Sequence, residues 1–438
     1  MGYRYNFKKN KFDKLGMLSI TLKQDDINIY IHDELYEKRV QKYPFIPKMF
    51  LSKIEHTRNI MISMLPGEYN IKLEKENYFP WENNIVINPN LTAFAPQIML
   101  FKKSSPVKLL NGGLKDMSLD KKDNLYFTRK DNATTTLSFL ALNNGKTKDI
   151  YEWKTSEDME YFPSVNNERI QIKDGEKNLI LDPLMPQTAI DIKGFAKNYD
   201  FYNMKWPADS DYILYALEKN SDIIYKIDII EKKIIPYASA KCEDYIIYAN
   251  SLYIITKDEV AKKTAIKLLN NGDEKEIAIL PYGEKINFIG AEKDYLLIQD
   301  KNSKTTYLIE PDANTYSKIE ATFNEAKSIK WNSAKNKILY ANDFEIWVYD
   351  LQENKNSLIT RLSSSIKDVY WHRNDNCILF NTDSDINIIE YNFISQRNLT
   401  TILEWDNTNE IIFTNEEKEI LFTVEEGEQS GLFSFELY

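Results

Sequence analysis

The sequence predicts an all-β chain in which most of the length is one repeated unit. Three observations carry this. Tyr and Phe together number 49 of 438 residues, isoleucine is abundant, and Ala-rich or Leu-rich helical windows are scarce, a balance that favours pleated, half-buried strands. Apolar and polar residues alternate in Leu18, Ile20, Leu22, in Ile27, Ile29, Ile31, and in Tyr69, Ile71, Leu73, the period of two of a strand with one buried face. From about residue 112 an aromatic or apolar anchor followed by a polar turn recurs every 40 to 45 residues.

The repeat is legible in its best copies. Trp206 leads to Tyr215 in MKWPADSDYILYA, Trp331 to Tyr340 in IKWNSAKNKILYA, Trp371 to Phe380 in VYWHRNDNCILFN, Phe288 to Leu297 in INFIGAEKDYLLI, and Phe413 to Phe422 in IIFTNEEKEILFT. Weaker copies start at Leu119, near Tyr161 and near Ile247. Third and fourth strands follow at 223–227 and 234–235, and again at 346–349 and 358–359. Helical repeats of this length need amphipathic windows of ~10–15 residues; turn clusters such as Pro207-Ala208-Asp209-Ser210-Asp211 interrupt too often for that. Four short strands per copy predict an eight-bladed β-propeller over residues 102–438, with seven blades as the alternative count. The last copy has three strands, at 411–414, 419–424 and 432–437. The strand-like segment at 105–110 has no partner of its own, and is expected to supply the outermost strand of the last blade and so close the array.

Residues 17–101 read as a small β-sandwich, with 1–16 as a separate N-terminal segment. Strands are expected at 17–22, 27–32, 60–64, 68–75 and near 84–88, with an irregular insertion at 33–58 holding one weak helical stretch at 48–56. Pro66-Gly67 reads as a tight turn, the proline fixing φ and the glycine supplying a positive φ.

The run Leu65-Pro66-Gly67-Glu68-Tyr69, continuing through Ile71 and Leu73 to Asn77-Tyr78-Phe79-Pro80-Trp81, resembles a PEGA domain, whose pattern is L-x-P-G-x-Y-x-V-x-hydrophobic-x-x-x-G-Y-x-x-W. Two departures stand out: Gln24-Asp25-Asp26-Ile27 replaces an early Pro-x-Gly-Ala element, and Asn77 stands where glycine is common. The resemblance implies a module of bacterial envelopes and surface layers that binds rather than catalyses. The whole layout is similar to bacterial PEGA-plus-propeller proteins with TolB/WD-like propellers, in which a membrane helix precedes a Gly-Tyr-aromatic stretch. Gly2-Tyr3-Arg4-Tyr5-Asn6-Phe7 would then begin the extracytoplasmic part, the membrane anchor being absent from this chain. Residues 1–14 carry a net +4, and basic flanks prefer the cytoplasmic side, so a cytoplasmic location stays as the alternative.

Composition narrows the chemistry. The net charge of −10 disfavours nucleic acid as a main partner. Three histidines and two cysteines leave no Cys/His metal framework and no disulfide scaffold. Cys242 and Cys377 lie in apolar contexts and read as buried free thiols. No stretch approaches the ~18 apolar residues of a membrane helix, and no Gly-x-Ser-x-Gly elbow or phosphate loop occurs. His372 opens a polar turn at a repeat position held elsewhere by Asn332 and Pro207, and reads as a surface residue, as do His32 and His56. Asp383-Ser384-Asp385-Ile386-Asn387 and Asn220-Ser221-Asp222 read as polar hairpin turns, and Glu425-Glu426-Gly427-Glu428 as a solvated loop. Trp206, Trp331 and Trp371 read as blade core, and Trp81 as packing of the small domain. No residue is assigned to catalysis, metal or cofactor binding, and no cofactor is implied. The expected function is non-catalytic binding or scaffolding at a bacterial cell envelope, with protein or cell-wall glycan docked on propeller loops. The alternative is a carboxylate-based hydrolase in the propeller channel, marked by an acid pair facing it; an apolar and amide lining would mark the binder. A propeller that gates a separate partner enzyme is the third reading.

Overall fold

The computed structural model describes residues 3–6, 10–36, 58–130, 133–154, 159–174, 177–239, 241–270, 273–311, 319–372, 375–392, 396–414, 418–425 and 430–438. The chain divides into two compact units. The first holds Met1–Asn111, Lys330–Ala334 and Ser357–Tyr438; the second holds Gly112–Ile329 and Lys335–Asn356. Among the described residues, helix is confined to a turn at Pro186–Thr188 and to Ile192–Phe195. No described helix is long and apolar enough to cross a membrane.

The first unit contains a small two-sheet module. Gly16–Leu22 is the centre of a three-stranded sheet, antiparallel to Arg58–Met64 and parallel to Thr92–Ile98. The second sheet runs Glu34–Leu35, Asn28–Ile31, Gly67–Glu74, Trp81–Ile87. Strict alternation places Leu18, Ile20, Leu22, Ile71, Leu73 and Ile85 in a fully buried core. Thr92–Ile98 has no counterpart among the expected strands. Its Pro96 argues against a strand, and is tolerated because this is an edge strand with a register shift beside Gln97, whose φ is 55°. The expected left-handed glycine at Pro66-Gly67 is corrected: Gly67 is already the first residue of its strand and takes no left-handed φ. The bend is held instead by the Tyr69 hydroxyl, which donates to Leu65 O at 3.0 Å. Asn77 does take a left-handed φ of 62°, which asparagine tolerates better than most residues. The stretch 48–56 and His56 lie outside the described residues.

The repeat appears as successive antiparallel sheets of four strands. Five lie in the second unit, from Leu114–Leu119 through Ile319–Phe323, followed there by the paired strands Lys337–Ala341 and Glu345–Asp350. Two more lie in the first unit. One begins at Asp368–Trp371. The other runs Val107–Asn111, Gly431–Glu436, Glu419–Val424, Thr408–Phe413. The segment before the first copy therefore completes the last sheet, with Val107 opposite Ser434 and Lys108 opposite Phe433. Leading into it, Lys102 N donates to Leu437 O at 2.7 Å and Ser104 Oγ to Glu436 O at 2.7 Å.

Middle strands of these sheets are buried nearly end to end, as in Cys377–Asn381 and Glu419–Val424, whereas the outer strand Lys233–Ser239 is largely exposed. Adjacent sheets cover both faces of a middle strand, which is why ILYALE, CILFN and EILFTV read as continuous apolar runs. Tyr253, Ile255 and Ile266 of one sheet share a cluster with Ile286, Phe288 and Leu296 of the next. Polar bonds step between sheets at one repeat length. In the second unit the Tyr245 hydroxyl donates to Asn203 O, 42 residues back, and Trp206 Nε1 to Phe162 O, 44 back. In the first unit Trp371 Nε1 donates to Lys330 O, 41 back, and Lys367 Nζ to Thr408 O, 41 ahead. A turn aspartate does the same: Asn166 Nδ2 donates to Asp211 at 2.7 Å, and Asn332 Nδ2 to Asp375 at 2.9 Å. Burial alone would raise the Asp211 carboxyl, but donors from Ser164 and Asn166 hold it below the usual range.

His372 is not a surface residue; this expectation is corrected. It is 2% exposed, ringed by Phe101, Phe413 and Tyr438, with both ring nitrogens unpartnered. The turn it opens is polar, but Phe101 from the end of the small module closes over the imidazole, a contact no local pattern reveals. Burial, aided by the Lys23 charge and opposed by Asp375, holds its pKa down to about 4 from 6.5.

Two outcomes follow from this packing. Gly431 lies so close to Leu110 O and the Lys108 side chain that a Cβ has no room; Gly431→Ala should lower the urea-unfolding free energy by roughly 1–3 kcal/mol. Between pH 6.5 and 4 the unfolded chain binds a proton at His372 that the folded chain does not, so stability falls as pH drops through that window. His372→Leu should remove up to about 3 kcal/mol of that fall, read from urea midpoints at successive pH; an unchanged slope would exclude the neutral buried imidazole.

Candidate functional site

The second unit holds a cavity of about 1280 Å³. Its wall draws on the first strands of four consecutive sheets, Met159–Pro163, Phe201–Lys205, Asp244–Tyr248 and Ile286–Glu292, and on the helical turn Ile192–Phe195. Each of these strands is the end strand of its sheet. Asp191 caps the helical turn by accepting from Lys193 N.

Aromatic rings make much of the wall: Phe162, Tyr199, Phe201, Tyr202, Trp206 and Phe288. Tyr199 and Phe201 stack at 5.1 Å and 6°, with Tyr225 edge-on behind them. The bond from Trp206 Nε1 to Phe162 O, 3.0 Å, fixes the indole. Phe162 is 40% and Tyr202 36% exposed, so apolar ring surface is left uncovered on the wall. Burial raises the phenol of Tyr202, and pushes that of Tyr215 up to about 12.

The charge of the wall is opposite to that of the chain. Lys173, Lys193, Lys197, Lys205 and Lys219 line it, against two carboxylates, Glu160 and Asp200. Both acids are engaged, Glu160 with Lys173 at 3.5 Å and Asp200 with Lys219 at 3.0 Å. Behind Lys205 stands Asp244, 4% exposed. One of its oxygens accepts from Lys205 Nζ (2.6 Å) and Asn203 Nδ2 (2.8 Å), the other from Phe288 N (2.8 Å). Three successive sheets thus meet on one carboxylate. Among the amides of the wall, the side-chain oxygens of Gln171 and Asn178 are buried without a partner.

Of the residues singled out in the sequence, Trp206, Pro207, Tyr215, Ile247 and Phe288 are in this wall. Trp206 is half-buried, as is Trp331, while Trp371 is buried as expected of blade core. Trp81 packs the small module and also donates through Nε1 to Glu390, 2.6 Å away. Cys377 is buried and Cys242 partly so; both are free, and burial pushes each thiol up to about 12. His32 is exposed. In the Asp383–Asn387 stretch, Thr382 Oγ1 and Asn387 Nδ2 both donate to Asp385, as in a closed turn. Residues 426–428 of the acidic loop lie outside the described residues. Among the described residues no group of three or more His, Cys, Asp or Glu is placed to hold a metal ion. Sequence reasoning missed the lysines and most of the rings: Lys193, Lys197, Tyr199, Phe201, Tyr202 and Lys205 fall in one stretch but follow no regular spacing, and the other wall residues come from strands far apart in the chain.

No protein-family model and no curated protein matches this sequence. Solved structures do share its fold. It is similar to a eukaryotic initiation factor structure, with 11% identity, a TM-score of 0.51, and coverage of 75% of this chain and 89% of that one. It is also similar to the C-terminal WD40 domain of Sif2, with 11% identity, a TM-score of 0.50, and coverage of 75% and 97%. At that identity the likeness speaks to fold alone, and the fold is that of the β-propeller class, to which WD40 repeats belong.

Asp244→Ala strands the Phe288 N–H and removes the charge facing Lys205. The expected cost is roughly 3 kcal/mol in urea unfolding, partly recovered by Asp244→Asn. Equal stability of Asp244→Ala and the parent would contradict the buried junction.

Proposed function

We propose that this chain is an eight-bladed propeller with a PEGA-like module, and that it is a non-catalytic binding protein of a bacterial cell envelope whose ligand sits in the cavity of the second unit. One observation carries the binding reading: the wall is made of rings, amides and lysines, and both of its carboxylates are engaged by lysines. A glycoside hydrolase needs two carboxyl groups flanking the scissile bond, ~5–10 Å apart, and an acid held by a lysine is poorly suited to give or take a proton there. A ring-lined cavity of about 1280 Å³ with a few polar groups suits a ligand that enters it more than a flat protein face. Eight blades are supported by the seven four-stranded repeat sheets that each lie within one unit, together with the paired strands at Lys337–Ala341 and Glu345–Asp350. The PEGA-like assignment rests on the 65–81 motif and is supported by the two-sheet core. The envelope location rests on that resemblance.

The test is co-sedimentation with a purified bacterial envelope fraction, combined with an assay for released reducing ends. The parent protein should co-sediment, Trp206→Ala should lose most of the bound fraction, and no reducing ends should appear. Release of reducing ends that Glu160→Gln abolishes would establish the hydrolase instead.

A further inference from the structure

The binding reading leaves the ligand's chemistry open, and the cavity wall narrows it. We propose, resting on that reading, that the cavity takes an acidic oligosaccharide: a short chain of sugar rings bearing carboxylates.

Three features point the same way. First, the wall carries five lysines against two carboxylates in a chain whose net charge is −10; Lys173 and Lys219 pair with Glu160 and Asp200, and Lys205 with Asp244 behind the wall, so the excess positive charge is that of Lys193 and Lys197. The five come from separate places: Lys173 from the strand Ile170–Asp174, Lys193 and Lys197 from the helical turn and just beyond it, Lys205 from the strand Phe201–Lys205, and Lys219 just past the strand Ile213–Glu218. An excess of two positive charges on the wall favours a ligand with more than one negative group over a neutral one. Second, the uncovered apolar surface of the wall includes ring surface at Phe162 and Tyr202, with the fixed Trp206 in the same wall, along with the side chain of Ile289. The C–H face of a pyranose packs on such rings, and it carries hydroxyls at its rim.

Third, Gln171 is 2% exposed, and its amide oxygen has no partner; the same holds for the Asn178 oxygen. The two side chains sit on adjacent strands, with Gln171 opposite Ile180 and Lys173 opposite Asn178, so Gln171 and Asn178 share one face of the sheet. An orphaned buried acceptor costs free energy until a donor reaches it, and both residues line the cavity. Sugar hydroxyls supply donors at that density. An acidic peptide offers its backbone N–H groups in a line, which suits a strand edge rather than two amides on a sheet face.

The experiment is calorimetric titration of the full chain, at low and at raised salt, with three probes of matched length: an alginate tetrasaccharide, cellotetraose and tetraglutamate. The proposal expects the alginate tetrasaccharide to bind and to weaken as salt rises, with cellotetraose and tetraglutamate at least about tenfold weaker. Lys197→Glu should weaken the uronate about tenfold while leaving the circular dichroism unchanged. Gln171→Leu, which keeps the size and removes the acceptor, should weaken it several-fold without altering its salt dependence. Binding of tetraglutamate in preference to the uronate would overturn the sugar assignment and leave the cavity as a binding site. Equal binding of cellotetraose would overturn the role of the lysines. If no probe binds while the envelope fraction is still retained through Trp206, the ligand class is wrong and the binding reading stands; if neither occurs, both fall.

Discussion

The pairing of Val107–Asn111 with Gly431–Glu436 is the constraint on which the first unit depends. Without it the last sheet would end on Gly431–Glu436, an edge strand with Leu432, Phe433 and Phe435 in its core, and open apolar edges invite pairing with other chains. The approach of the two backbones is close enough to require glycine at 431. The residues leading into the pairing extend it: Lys102 forms an ion pair with Glu436, and Ser104 binds the backbone of the same residue. Because this segment follows the small module directly, the module is drawn against the last two sheets. Phe79, Met99 and Phe101 join their apolar cluster, and Trp81 and Asn83 bond to Glu390 and Gln396 O. Burial raises the Glu390 carboxyl, and the donors from Asn398 and Trp81 oppose this.

Within each unit, the repeat is made rigid by apolar clusters shared between sheets and by hydrogen bonds that span one repeat. Where three sheets meet on Asp244, the cation that carboxylate holds, Lys205, faces the cavity. The same bonds that order the first strands therefore also set the positions of the ring and lysine side chains of the wall. Structure and site are coupled at Asp244 rather than carried by separate residues.

Much of this was legible in the sequence because the signals were local or periodic. The 40–45-residue spacing reflects the one-repeat hydrogen bonds, and the apolar runs ILYALE, CILFN and EILFTV reflect strands covered on both faces. The orphan strand at 105–110 was legible because a three-stranded last copy needs a fourth. Thr92–Ile98 was hidden by Pro96, and the Pro66-Gly67 turn was misread because a tyrosine hydroxyl, not a glycine φ, holds it. His372 looked exposed because its burial comes from Phe101, 271 positions away in sequence. The cavity left little trace, since its residues come from strands of four different sheets and a helical turn, and Trp206, Tyr215 and Phe288 stood out only as repeat anchors. The net charge of −10 masked a local excess of lysine.

The most direct test of this account is a cross-link across the pairing that completes the last sheet. Val107 and Ser434 are register partners, and opposed Cα atoms in an antiparallel pair lie within disulfide reach. The native thiols, pushed up to about 12 by burial, compete little at neutral pH. Val107→Cys combined with Ser434→Cys should form an intramolecular disulfide under mild oxidation and raise the Tm. A folded double variant whose two new thiols stay separately reactive, with no disulfide formed, would contradict it.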